Sequence, residues 1–387
     1  MRALEVRWRP IGSGRRVLLG VLVALAIGFG WTVALPASGA ASWLTKSSPS
    51  LGSESTLNGV SCVSANSCTA VGYFGNDTLI ESWNGSAWSI VRSPDRGTNS
   101  TLDGVFCVSA SSCEAVGNYS SSGIDHTLVE SWNGSAWSIP RSPDRGTNST
   151  LDGVFCVSAS SCEAVGSYSS SSFSQILIES WNGTTWSVAA GPSLAPNEST
   201  LDSVFCVSGK SCVAVGNNGS RTLVESWNGA AWSVVPSPTP GNYGGLSGVS
   251  CSSAGSCVAV GNYSNGTGSA SSILSRTLVE SWNGTAWSVV SGPSPSVAYL
   301  YGVSCASARS CKAVGDYASS TIRRRALVES WNGTAWSVEP GPSPSVAYLY
   351  GVSCASARSC KAVGEHASSG GVIRSLVESW NGTAWSI

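Results

Sequence analysis

The string E-S-W-N-G occurs seven times, beginning at Glu81, Glu130, Glu179, Glu225, Glu280, Glu329 and Glu378, and a second Trp always follows the first by five positions. Each copy also opens with a Val two residues before a Cys (Val60 and Cys62 in the first). It reaches a second Cys six residues later and runs on into A-V-G. Two blocks recur unchanged, Arg92 to Gly117 as Arg141 to Gly166 and Gly292 to Gly315 as Gly341 to Gly364. A chain built by copying one unit of this size is an array whose units bury their faces on one another.

Within a unit, four short strands are expected near Val60–Val63, Cys68–Phe74, Thr78–Asn84 and Ala87–Val91, separated by turn signals. Asn84-Gly85 reads as a tight hairpin turn, because both residues tolerate positive φ. Four-stranded units too small to bury both faces alone indicate an all-β fold, a seven-bladed β-propeller of four-stranded antiparallel blades. An open β-solenoid is the alternative, but its coils are usually shorter and lack a four-strand meander. The repeats start near residues 57, 102, 151, 201, 246, 301 and 350, and residues 41–387 read as one domain. Trp43 to Pro49 repeats the spacing of Trp88 to Pro94 and is expected to be a spare fourth strand that closes the ring beside the last unit.

Residues 1–40 read as a signal peptide. Arg15 and Arg16 precede an apolar run from Val17 to Leu35, and Ser38 and Ala40 are the small residues that cleavage after Ala40 requires. The run is also long enough to span a bilayer, so an uncleaved membrane anchor is the alternative. Either way the remaining chain is exported, and a secreted or cell-surface location is expected. The five Arg and one Glu before residue 42 leave 16 basic against 21 acidic residues in the body of the chain. That balance excludes general electrostatic binding to nucleic acid. The membrane would be met only through the N-terminal segment.

The segment S-W-N-G-S-A-W at Ser82 to Trp88 resembles the Asp-box hairpin of sialidase-type propellers, in which a Ser and an Asp brace the turn between strands three and four. Here Asn replaces Asp, and one residue fewer precedes the Gly. The units as a whole are similar to those of secreted bacterial β-propeller repeat proteins. The resemblance covers about residues 43 to 387 and implies fold; the Asp-box motif is structural and says little of activity.

All 14 Cys lie in the repeats, two per unit and six apart, as disulfides of an exported chain would. The spacing places partners on adjacent strands of the first hairpin. The expected pairs are Cys62 with Cys68, Cys107 with Cys113, Cys156 with Cys162, Cys206 with Cys212, Cys251 with Cys257, Cys305 with Cys311, and Cys354 with Cys360. Zinc sites want shorter spacings and four ligands, so no metal is expected.

Strand parity separates two ends of the ring. The one-to-two and three-to-four turns share an end at which the Cys and Trp spacings never change. At the other end the gap from the Gly of A-V-G to the next Glu runs 9, 13, 13, 9, 19, 14 and 14. Function usually sits on such variable loops. Following A-V-G on this variable face come Phe74, Tyr119, Tyr168, Asn218, Tyr263, Tyr317 and His366. An aromatic beside a polar residue suits a sugar ring; the alternative is that these side chains cap strand two and pack on the neighbouring blade. Before strand three stand Asp77, His126, Gln175, Arg221, Arg276, Arg325 and Arg374, so four consecutive blades carry Arg. Such an arc suits carboxylates or sulfates, unless it is solvated loop charge.

The sevenfold Glu is expected to be structural, accepting bonds from backbone or indole N–H groups, since a catalytic residue in a ring must differ between blades. His126 and His366 are the only histidines and match no ligand spacing, and no nucleophile elbow or phosphate loop is present. No cofactor is expected. The reading is an exported, non-enzymatic, monomeric binding module. Its expected partner is an extracellular polysaccharide or cell-surface glycan of acidic character, held by Arg221, Arg276, Arg325, Arg374, Tyr119, Tyr168, Tyr263, Tyr317 and His366. The alternative is a glycan-cleaving hydrolase or lyase of the Asp-box type, drawing on Asp125, Asp316, Glu365, Tyr119 or Arg374.

Overall fold

The structure is a computed structural model that describes residues 48–49 and 54–387 apart from 171–172, 195–197, 267–274, 296, 321–322, 343, 345 and 369. The expected leader 1–40 and Trp43 lie outside the described residues. Among those residues, 28 strands form seven four-stranded antiparallel sheets, and no helix occurs. Blade 1 comprises β1 (Ser55–Ser64), β2 (Ser67–Phe74), β3 (Asp77–Trp83) and β4 (Trp88–Val91), hydrogen-bonded in that order.

β1 begins at Ser55, ahead of the expected Val60, because it carries a bulge. Leu57 pairs with Gly72 and Gly59 with Val71, so Asn58 faces no partner. The same bulge falls at Asp103, Asp152, Asp202, Ser247, Tyr301 and Tyr350. It also accounts for A-V-G: a Cβ on Gly72 would lie 2.0 Å from the Thr56 carbonyl oxygen. Only glycine lets the second strand approach the bulged one so closely.

Each sheet buries one face on the preceding blade and the other on the next. In blade 2, Leu102, Ala115, Leu128 and Trp137 pack with Val71 and Ile80 of blade 1. The alternate residues Val116 and Val129 pack with Leu151 and Ala164 of blade 3. Each buried Leu, Ile or Val contributes about 1.5–3 kcal/mol, and the strand period of two supplies both faces. The ring closes on itself, since Val363 and Val377 of blade 7 join Leu57 and Leu79 of blade 1. The Cys62 backbone N–H donates to Ser353 Oγ at 2.9 Å across the same seam.

At the constant end all seven disulfides form within blades, as the spacing predicts, and no described cysteine is free. The β3–β4 turn differs from the expected two-residue type. Trp83 pairs directly with Trp88, so the loop spans 84–87, and within it only Gly85 takes positive φ, at 92°. Asn84 Oδ1 braces this loop by accepting from the Ser86 and Ala87 backbone N–H groups, both at 2.9 Å, and from Ser86 Oγ at 2.7 Å. An Asn at this position thus stabilises the turn with its side chain rather than with its backbone.

The repeated Glu is fully buried between blades, but its partners are not the expected backbone or indole donors. The first Trp of each pair donates instead to a carbonyl in its own blade, as Trp83 Nε1 does to Ala65 O at 3.1 Å. The Glu accepts from a serine arriving from the blade before. Ser93 Oγ reaches Glu130 at 2.8 and 2.9 Å, Ser142 reaches Glu179, and Ser237 reaches Glu280. Gly191, Gly292 and Gly341 occupy that serine's position before Glu225, Glu329 and Glu378. Both carboxylate oxygens of Glu225 are accordingly buried without a partner, and Glu329 has only Thr277 beside it in place of the serine. Before Glu81 the serine is Ser48, which donates to Glu81 Oε1 at 2.5 Å and bonds Ser375 Oγ at 2.6 Å. Ser48 thereby ties blade 7 to blade 1 as Ser93 ties blade 1 to blade 2, while Trp385–Ser386 forms the fourth strand of blade 7.

Candidate functional site

The cross-strand register brings the two variable-face positions together. Asn218 faces Arg221, Tyr263 faces Arg276, Tyr317 faces Arg325 and His366 faces Arg374. Directly opposed residues of an antiparallel pair project from one face of the sheet. All four Arg are exposed. Tyr263 and Tyr317 are half-buried against the seams of blades 5 and 6. His366 is half-buried, and its Nδ1 has no hydrogen-bond partner.

Blades 2 and 3 use the same positions differently. Tyr119 and Tyr168 are only 8% and 7% exposed. Arg96 lies 5.0 Å over the first ring and Arg145 4.9 Å over the second. Tyr168 also donates to Gln175 Oε1 at 2.6 Å, and Tyr119 stacks on His126, which bonds Asp144 at 2.7 Å. These two rings cap the interblade packing and are covered by the protein's own guanidinium groups. Asp125, in blade 2, bonds Ser120 Oγ, far along the ring from Asp316 and Glu365.

The seven bulges create a feature that the repeat alignment did not single out. Asn58, Asp103, Asp152, Asp202, Ser247, Tyr301 and Tyr350 line one axial channel of about 160 Å³, together with the glycine and valine that follow. The backbones converge tightly there, since a Cβ on Gly104 would lie 2.9 Å from Asp152 O. The signal was present in the sequence as the single changing residue between a constant Leu and a nearly constant Gly.

This ring is chemically divided. On one side Asp103 accepts from Asn58 Nδ2 at 3.0 Å and Asp202 from Thr200 Oγ1 at 3.1 Å. Burial pushes both carboxyls up to about 6. Asp152, between them, is raised well above the carboxylate range, first by burial and then by its two acidic neighbours. On the other side four tyrosines rise from blades 6 and 7. Tyr299 and Tyr301 lie with parallel rings 6.4 Å apart, Tyr348 and Tyr350 lie 6.3 Å apart, and Tyr301 meets Tyr350 at 5.5 Å. Behind them Tyr301 donates to Asp316 Oδ1 at 2.9 Å, Arg324 Nε donates to Asp316 Oδ2, and the Arg324 guanidinium covers Tyr299 at 4.7 Å. Thr56 donates to Glu365 Oε2 at 2.7 Å. Among the described residues no group of three His, Cys, Asp or Glu is placed to hold a metal ion.

No protein-family profile and no curated protein matches the sequence. Solved structures do match the fold. YCF48 bound to a D1 peptide aligns with TM-score 0.53 at 12% identity, covering 85% of this chain and 93% of that one. An ancestral GH74 enzyme aligns at 0.56 and 13%, covering 85% and 47%. A polysaccharide lyase of family PL25, an ulvan lyase, aligns at 0.59 and 10%, covering 88% and 97%. At such identities the likeness is one of propeller architecture, which binding proteins and glycan enzymes share.

Proposed function

We propose that this protein is an exported, non-enzymatic binding module that takes an acidic polysaccharide on the half of the variable face formed by blades 4 to 7. The observation that carries the reading is the arc of exposed Arg221, Arg276, Arg325 and Arg374 at one register position of four consecutive blades. Tyr263 and Tyr317 stand opposite two of them, half-buried, where an aromatic ring could stack on a sugar. Tyr119 and Tyr168 drop out of the proposed site, because their rings are buried. Seven disulfides suit an oxidising, extracytoplasmic compartment, which supports a secreted or cell-surface protein. The Tyr301, Asp316 and Arg324 group weakens the enzymatic alternative. Asp316 is fully buried and each of its oxygens already accepts a bond, from Tyr301 and from Arg324, so it holds those neighbours in place away from solvent.

Charge-assisted bonds contribute roughly 1.5–3 kcal/mol when desolvated and far less at an exposed rim, so affinity is modest and spread over several blades. Calorimetric titration with polygalacturonate is expected to show salt-sensitive binding. The Arg276→Ala/Arg325→Ala variant should bind about ten-fold more weakly with a flatter salt dependence, while Asp77→Ala, at the equivalent position of blade 1, should not change it. Absence of binding, equal binding by the double variant, or shortening of the polymer overturns the proposal.

A further inference from the structure

The axial channel differs from the Arg-bearing rim in every chemical respect. Its ring position changes from blade to blade between a constant Leu and a nearly constant Gly, and a bulge takes that residue out of the ladder in every blade. Three consecutive blades place a carboxylate there and two consecutive blades place a tyrosine, so an acidic wall faces an aromatic one across a narrow cavity.

The protein shows elsewhere what its tyrosine faces take. Arg96, Arg145 and Arg324 each lay a guanidinium on a ring, those of Tyr119, Tyr168 and Tyr299, at 4.7–5.0 Å. Among the described residues no basic side chain covers Tyr350 or Tyr301, and none reaches the three axial carboxylates. Asp103 receives neutral donors from Asn58 and Thr101 and Asp202 one from Thr200, and among the described residues no side chain donates to Asp152. Burial first, and then the charges of Asp103 and Asp202, raise the Asp152 carboxyl. A positive group in the channel would meet carboxylates on one side and π faces on the other, the combination that binds organic cations best.

We propose that the axial channel is a second binding site, for a guanidinium or ammonium group carried on a slender stem, separate from the polysaccharide surface. Asp103, Asp152 and Asp202 take the charge. Tyr301 and Tyr350 take the flat or methylene part of the group, and a cavity of about 160 Å³ suits a single unbranched side chain.

The same chemistry occurs on a peptide and on a free polyamine, and two probes separate them. Calorimetry on the full chain is run with the capped tripeptide Gly-Arg-Gly, its neutral isostere Gly-citrulline-Gly, and agmatine. Binding of the Arg peptide, of agmatine or of both, with none by the citrulline peptide, is the expected result, and the tighter probe identifies the source. Asp103→Asn/Asp202→Asn should weaken that binding about ten-fold or more. The rim variant Arg276→Ala/Arg325→Ala should leave it unchanged, which also shows that the ring is folded and the channel intact. Equal affinity for the Arg and citrulline peptides, no binding of either cation, or full binding by the double Asn variant overturns the proposal.

Discussion

The two ends of the propeller are made by the same strands and obey opposite rules. At the constant end every blade carries the disulfide and the Asn-braced turn at fixed spacing, and Trp83 and its equivalents tie the two turns together through their indole N–H groups. At the variable end the same strands finish in loops whose lengths differ. Equivalent positions there hold His126, stacked on a buried tyrosine, in one blade and exposed Arg276 in another. The constant end specifies how a blade stands beside its neighbour. The variable end differs because its loops carry little of the repeated packing, although Tyr119 and Tyr168 cap the seams of blades 2 and 3 there. The axial bulge mixes both rules. Its Leu and Gly are fixed by packing, and the residue between them is released from the ladder and varies.

The strongest test of this contrast is at the bulge. Gly315→Ala would place a Cβ 1.9 Å from the Tyr299 carbonyl oxygen, so this small substitution is expected to cost more than about 4 kcal/mol and to abolish or nearly abolish folding. A melting curve near that of the wild type would show that the innermost strands are not bulged as described.

A pH series is the next largest effect. Burial pushes the seam carboxyls of Glu81, Glu130 and Glu280 up to about 7 and those of Glu179, Glu225 and Glu329 up to about 8, against the ordinary 4.5. Below pH 4.5 folded and unfolded chains both hold these protons. Above it the unfolded chain releases them while the folded chain retains them, so stability falls as pH rises to about 8. The melting temperature should drop by more than about 5 °C between pH 5 and pH 8. A rise over that interval contradicts the buried seam.

Removing one bridge with Cys206→Ser/Cys212→Ser should cost roughly 2 kcal/mol, small because the closed loop is short. Denaturant titration that shows no change would mean the constant-end hairpin is held without it. The smallest effect is a gain. A Cβ on Gly292 lies 3.6 Å from Glu329 Oε2, so Gly292→Ser restores the hydroxyl that four other seams possess and should add about 1 kcal/mol. Loss of stability instead would mean that Glu329 has found another partner.

Much of this was legible in the repeat. The fold, the blade count, the bridges and the two ends follow from spacings that seven copies share. What the spacing hid has physical causes. The first strand was expected near Val60 because the bulge at Asn58 breaks the alternation of a strand, and the axial ring was hidden with it. The Tyr119 and Tyr168 rings looked available because Arg96 and Arg145 reach them from the linker between blades, a contact that no period within a unit encodes. The partner of the seam Glu was missed for the same reason. The serine belongs to the previous copy, and Ser48 supplies it to blade 1 from the start of the chain. The proposed polysaccharide contact depends on single residues that differ between blades, and seven copies cannot average toward them.

The central claim is that ligand binding belongs to one half of the variable end. Hydrogen–deuterium exchange of the protein with and without polygalacturonate tests it directly. The account predicts slowed exchange in the loops carrying Arg221, Arg276, Arg325 and Arg374, with the Asp77 loop and the disulfide hairpins unchanged. Protection centred on the hairpins between Cys62 and Cys68 and their equivalents, or spread evenly over all seven blades, would contradict it.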